Sequence, residues 1–144
     1  MARVLAVDWG ARRVGLAVSD PAGIIATGLE TLDVRGLEDA LAGVERIARE
    51  VEAERIVVGL PLLMSGETGE AAASAQRFAG LLAQRTGLPV DTYDERLTSA
   101  LSQRRLREVG VRTGHAKGRI DQGAAVALLE SFLSRLQARR DPES

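Results

Sequence analysis

The chain has 144 residues, no cysteine and a net charge of -1, with 19 lysines and arginines against 20 aspartates and glutamates. That length suits one domain burying about two-thirds of its unfolded surface, while the missing cysteines exclude disulfides, thiolate metal sites and cysteine nucleophiles. The near-neutral charge removes the bulk basic footprint of many nucleic-acid binders, and without a signal-peptide pattern or an apolar run of about 20 residues the expectation is a cytoplasmic protein with no membrane contact.

In chain order, Val4 to Val7 read as a strand buried on both faces, and Asp8 ends it. Residues 3–8 and 14–19, joined across Gly10 to Gly15, predict an opening hairpin, and a third strand is expected over 28–34. From 37 to 52 the apolar residues Leu37, Leu41, Val44, Ile47, Ala48 and Val51 recur at helical spacing. Ile56 to Leu60, bounded by Pro61, have the pattern of a central parallel strand. The loop 61–69 leads into an alanine-rich helix over about 70–86, which Gly87 and Pro89 stop. Val90 to Glu95 predict the last strand, and Thr98 can cap a helix reaching about Val109. The stretch 110–118 reads as a flexible basic loop. The final helix is expected from Ile120 to about Ala138, with Ala124, Ala127, Leu128, Phe132 and Leu136 inward. Residues 1–138 then form a single domain and 139–144 a polar tail. An antiparallel opening followed by strand–helix units predicts an α/β fold: a mixed sheet with helices on both faces and ligands at the carboxyl ends of its parallel strands.

The acids at those ends carry the chemistry. Asp8 ends the first strand, and Asp94 and Glu95 end the last; if both strands are central and parallel, these ends are neighbours. Asp121, in the first turn of the final helix, can pack against the same sheet edge, where Ala124 and Ala125 let the helix come close. Converging carboxylates repel one another, and a cation relieves the repulsion. Carboxylate oxygens suit Mg2+ or Mn2+, and two such ions about 3.5–4 Å apart can clamp the attacking and leaving oxygens of a phosphodiester. Taken singly, each acid has an ordinary role. Asp8 can accept from turn amides, Asp121 can complement a helix dipole, and Asp94 or Glu95 can pair with Arg96. Their joint placement favours the metal. Between Arg96 and Arg119 the only acid is Glu108, against Arg104, Arg105, Arg107, Arg112 and Lys117 inside that stretch. Such a stretch is either a solvated helix face or a phosphate surface. Trp9 either stacks on a base or packs on the turn, Tyr93 reads as core, and His115 is either a solvated loop residue or a group that protonates a leaving group or touches phosphate.

The stretches LAVDWGARRVGLAVSD (5–20), IVVGLPLLMSGETG (56–69), YDERLTSA (93–100) and KGRIDQGAAVALLESFL (117–133) resemble the four successive signatures of the YqgF family. These are bacterial ribonuclease-H-like proteins described as Holliday-junction resolvases and as nucleases maturing the small-subunit ribosomal RNA precursor. The resemblance implies a ribonuclease-H-like fold and a metal-dependent endonuclease. It implies catalytic, metal-binding acids at Asp8, Glu95 and Asp121 holding Mg2+ or Mn2+, and it favours Glu95 over Asp94, which is left a supporting part. Arg13, Arg96, Thr98 and Lys117 become substrate contacts, with the Pro61-to-Gly69 loop bordering the cleft. The implied partners are a four-way DNA junction or an RNA precursor, with ribosomal particles besides, for a monomer or a homodimer. Two other readings stand beside it. One is a non-catalytic RNA- or ribosome-binding module of the same fold. The other is an actin-like or sugar-kinase ATPase lobe, which the single-domain length, Ala11 and Arg12 where a hydroxyl residue is usual, and the missing Walker lysine motif disfavour.

Overall fold

The structure is a computed structural model that describes residues 3–10, 12–61, 65, 68–97 and 114–140, with the side chains of the last segment described from 123 to 138. β1 (Arg3–Trp9) and β2 (Arg13–Ser19) form the expected antiparallel hairpin, with Leu5 opposite Val18 and Asp8 opposite Gly15. The single strand expected over 28–34 is corrected to two short ones, β3 (Ala26–Gly28) and β4 (Leu32–Asp33), both paired with β2. Ala17 faces Gly28 but Val14 faces Leu32, so the second partner advances one residue further than β2 does. That is the mark of a bulge, and it breaks the ladder between the two pieces.

α1 (Leu37–Glu50), β5 (Ala53–Leu60), α2 (Glu70–Thr86) and β6 (Val90–Asp94) follow, then a single 3-10 turn, Glu95–Leu97, and α3 (Gly114–Arg140). β5 pairs in parallel with both β1 and β6, giving one mixed sheet in the order β3-β2-β1-β5-β6, with β4 also on β2. Gly87 caps α2 in the left-handed region at φ 74°, its N–H donating to the Ala83 carbonyl, as a helix-stopping glycine does.

Successive side chains leave a strand on opposite faces, which assigns each residue to a layer. Leu5, Val7, Val14, Leu16, Ile56 and Val58 are buried with Val44 and Ile47 of α1 and Phe78 and Leu82 of α2. Val4, Ala6, Ala17 and Val57 are buried on the other face with Ala124, Ala125, Leu128, Leu129, Phe132 and Leu133 of α3. Ala125, Leu129 and Leu133 widen the inward face beyond the expected stripe, whose Ala127 and Leu136 are only partly buried. A helix lying flat on a sheet covers a broader band than one narrow seam.

Two boundaries differ from expectation. The last strand ends at Asp94, and Glu95 opens the 3-10 turn. α3 begins at Gly114, so residues 114–118 of the expected basic loop are helical and Asp121 stands two turns inside rather than in the first turn. An interior glycine such as Gly118 costs a helix only about 1 kcal/mol relative to alanine. Packing of the rest of the helix on the sheet overrides that. The Thr98-capped helix and residues 110–113 lie outside the described residues. Among the described residues, no helix is long and apolar enough to cross a membrane.

Candidate active site

Asp8 is the sixth residue of a strand whose other side chains are apolar from Val4 onward, yet it is only 1% exposed. By alternation it shares the face of Val4 and Ala6, the one α3 covers. Its neighbours on that face have no side chains. Gly15 stands opposite on β2, and Gly59, one step past the Val7–Val58 pair, stands level with it on β5. Glu95 is 0% exposed. It begins the turn after β6, one residue beyond the Leu60–Asp94 pair, and its carboxyl lies back over Gly59. A Cβ at residue 59 would come within 3.1 Å of both Cγ and Cδ of Glu95 and closer still to Oε1.

The expectation that the strand ends carrying Asp8 and Glu95 are neighbours is corrected by the sheet order. β5 lies between β1 and β6, and the Glu95 carboxyl lies over Gly59 of β5, on the face that alternation gives to Asp8. Gly59 is the residue that the motifs do not single out. Its signal is nonetheless present: a glycine inside an otherwise apolar strand marks a place where another group comes close.

Asp94 points to different chemistry. The Arg96 guanidinium donates to it through Nε at 3.1 Å to each oxygen and through a terminal nitrogen at 2.8 Å, and the Arg96 backbone N–H donates at 2.9 Å. Arg96 is the largest influence holding this carboxyl below the usual range, against a smaller opposing push from burial. Asp94 is therefore an arginine's partner, and the anticipated substrate contact Arg96 is tied to it. Arg13 reaches Asp33 at 3.4 Å across the β2–β4 pair. Trp9 packs on the opposite face from Asp8, stacked on Phe78 with ring centroids 4.5 Å apart, and its indole N–H donates to the Ser74 hydroxyl at 3.0 Å. It packs, but on α2 rather than on the turn where packing was expected. Tyr93 joins the core of the α3 face, with its hydroxyl 2.8 Å from that of Ser131.

Asp121 lies in α3 one turn before Ala124 and Ala125, and Lys117 one turn earlier still. The side chains of Asp121, Lys117 and His115, and all of Thr98, lie outside the described residues, as does most of the Pro61-to-Gly69 loop. Among the described residues, no three acidic, histidine or cysteine side chains gather around a cation position. Asp8 and Glu95 nonetheless offer what a hard cation uses: oxygen donors only, held by a strand and a tight turn at the carboxyl ends of parallel strands.

Thermus thermophilus RuvC, solved in complex with a Holliday junction substrate, superposes with a TM-score of 0.58 at 17% identity, covering 94% of this chain and 96% of that one. The fowlpox virus Holliday junction resolvase gives 0.52 at 10% identity, with 92% and 99% covered. At such identities the likeness defines the fold, that of the RuvC and ribonuclease-H-like proteins. The profile of the RuvX family, described as Holliday junction resolvase, matches residues 2–135, and the chain belongs to that family, the one its motifs resemble. A protein of Chloroflexus aggregans is 43% identical over 139 residues, 96% of each chain, and bears the name "Putative pre-16S rRNA nuclease". A Mycobacterium protein of the same name is 44% identical over 140 residues, 94% of this chain and 82% of its own.

Proposed function

We propose that this protein is a metal-dependent endonuclease, acting in the cytoplasm on phosphodiester bonds of structured nucleic acid. The names of its relatives favour the small-subunit ribosomal RNA precursor as substrate, free or within ribosomal particles, and the family description favours a four-way DNA junction. The observation that carries the reading is the pair of wholly buried carboxylates, Asp8 and Glu95, on one face at the carboxyl ends of parallel strands. Carboxylates gathered on one buried face repel one another, and a cation relieves that repulsion.

Asp8, Glu95 and Asp121 are the residues that would hold Mg2+ or Mn2+, with Glu95 preferred to Asp94 because Arg96 already neutralises the latter. When bound, such an ion supplies charge neutralisation at the scissile phosphate and a more acidic water for attack on phosphorus. The rest falls to the chain itself. β1 aims Asp8 from the middle of the sheet, so little reorganisation is needed as charge develops. Arg13, Arg96, Thr98 and Lys117 would hold the substrate backbone through hydrogen bonds to phosphate, the arginines and the lysine with charge assistance.

The test is single-turnover cleavage in Mn2+ of precursor RNA and of a four-way junction, wild type beside Asp121→Asn. Cleavage of either substrate, slowed about 100-fold or more in the variant while binding survives, is the expected result. Equal cleavage by the variant removes Asp121 from the site. Binding without cleavage by the wild type replaces the nuclease with a non-catalytic RNA-binding module.

A further inference from the structure

Gly59 sits in the second strand from the edge of the sheet, where a branched apolar residue would pack best and where glycine weakens the strand. Its backbone does not call for glycine: among the described residues the positive-φ glycines are Gly23 and Gly87. What it meets instead is Glu95. β1 and β6 are two strand spacings apart, roughly 10 Å, and the Glu95 carboxyl extends from the β6 side into the slot above β5 that a Cβ would fill. The atoms in the way are not the loose end of a surface chain, because Glu95 is completely buried and has no solvent to swing into.

We infer that Gly59 is a positioning residue for the acidic site: its missing side chain is the slot that lets Glu95, carried at the sheet edge, extend across β5 toward Asp8. The inference rests on the reading of Asp8 and Glu95 as cation ligands. It also explains why the acid here is glutamate rather than aspartate. The position starts one residue past the end of an edge strand, and the longer side chain covers the distance back.

The experiment is a cycle of four proteins: wild type, Gly59→Ala, Glu95→Ala and the double variant. Each is melted without metal and titrated with Mn2+, following the melting temperature. Gly59→Ala is expected to melt lower than wild type without metal and to lose about 10–100-fold in apparent Mn2+ affinity, as when a group that orients a ligand is disturbed. In the Glu95→Ala background the same methyl is expected to cost nothing or to raise the melting temperature, because it then enters emptied space. An equal cost in both backgrounds means that the methyl clashes with something other than Glu95, and overturns the inference. So does a Gly59→Ala protein that responds to Mn2+ as wild type does. If Gly59→Ala fails to fold, a folded double variant upholds the contact and an unfolded one refutes it. A wild type that ignores Mn2+ overturns the cation-site reading, while the metal-free cycle still decides whether Gly59 seats Glu95.

Discussion

Toward α1 and α2 the sheet presents Leu5, Val7, Leu16, Ile56 and Val58, whereas toward α3 it presents Val4, Ala6, Ala17 and Val57 and, beyond them, Gly15, Gly59 and Asp8. The first face is made of large side chains that interlock with Phe78 and Leu82. The second uses alanines on both the strands and the helix, which bring the α3 backbone close, and then leaves side chains out altogether. Large apolar groups stabilise by area removed from water, roughly 25 cal/mol per Å2. Small ones contribute less and make room. The same sheet thus interlocks large side chains on one side and, on the other, packs α3 over small ones and gives way toward the strand ends to a floor shared by two carboxylates.

If that division holds, Leu82→Ala carries the largest penalty, about 2–5 kcal/mol of unfolding free energy. Denaturant melts would measure it, and the Mn2+ response should persist; its loss would show that the two faces are not separable. Asp8→Asn tests the other face. Cleavage should drop about 100-fold or more, a loss of roughly 2.7 kcal/mol or more in transition-state stabilisation. Metal-free stability should hold or rise as repulsion with Glu95 is relieved, and a large fall in metal-free melting temperature would make Asp8 structural instead.

Trp9 joins the two faces, since it follows Asp8 on β1 yet packs on α2. Trp9→Phe keeps a ring for Phe78 but loses the hydrogen bond to Ser74, an expected cost of about 0.5–1.5 kcal/mol in the melt. An additional loss of Mn2+ affinity would show that this anchor also aims the neighbouring carboxylate. The smallest effect concerns Asp94. Its folded pKa lies below the unfolded value of about 3.9, so the Arg96 contact stabilises above that pH and fades as pH falls through the folded value. Comparing Asp94→Asn with wild type from pH 7 down to 2, the gap should be at most about 1 kcal/mol and close at the acid end. A gap that widens with acid would reverse the assignment.

Elements with their own local signals are legible in the residues alone. The hairpin, α1, β5 and α2 lie close to where periodicity puts them, because each repeats its apolar residues at its own period and has a local stop such as Gly87. Asp8 stands out as an acid at the end of an apolar run, whereas Glu95 follows the mixed stretch VDTYD and is preferred to Asp94 only through the family resemblance. The split of 28–34 is not legible, since a bulge is set by the register with β2 rather than by the residues of the edge itself. Nor is the helical state of Gly114 to Gly118, whose glycines read as loop until the packing of α3 is counted.

By itself the sequence determined most of the helices and strands, the apolar face of α1 and of the hairpin strands, and, through four ordered motifs, the family. Those are properties of neighbouring residues, expressed in local propensity and short-range spacing. Tertiary structure alone decided that β5 separates β1 from β6, that Trp9 turns to Phe78 rather than outward, and that Glu95 lies over Gly59 on the face of Asp8. Strand order joins residues far apart in the chain and leaves no local trace, and an absent side chain contributes nothing to a hydrophobic pattern. Only the folded sheet shows what occupies the space that Gly59 leaves.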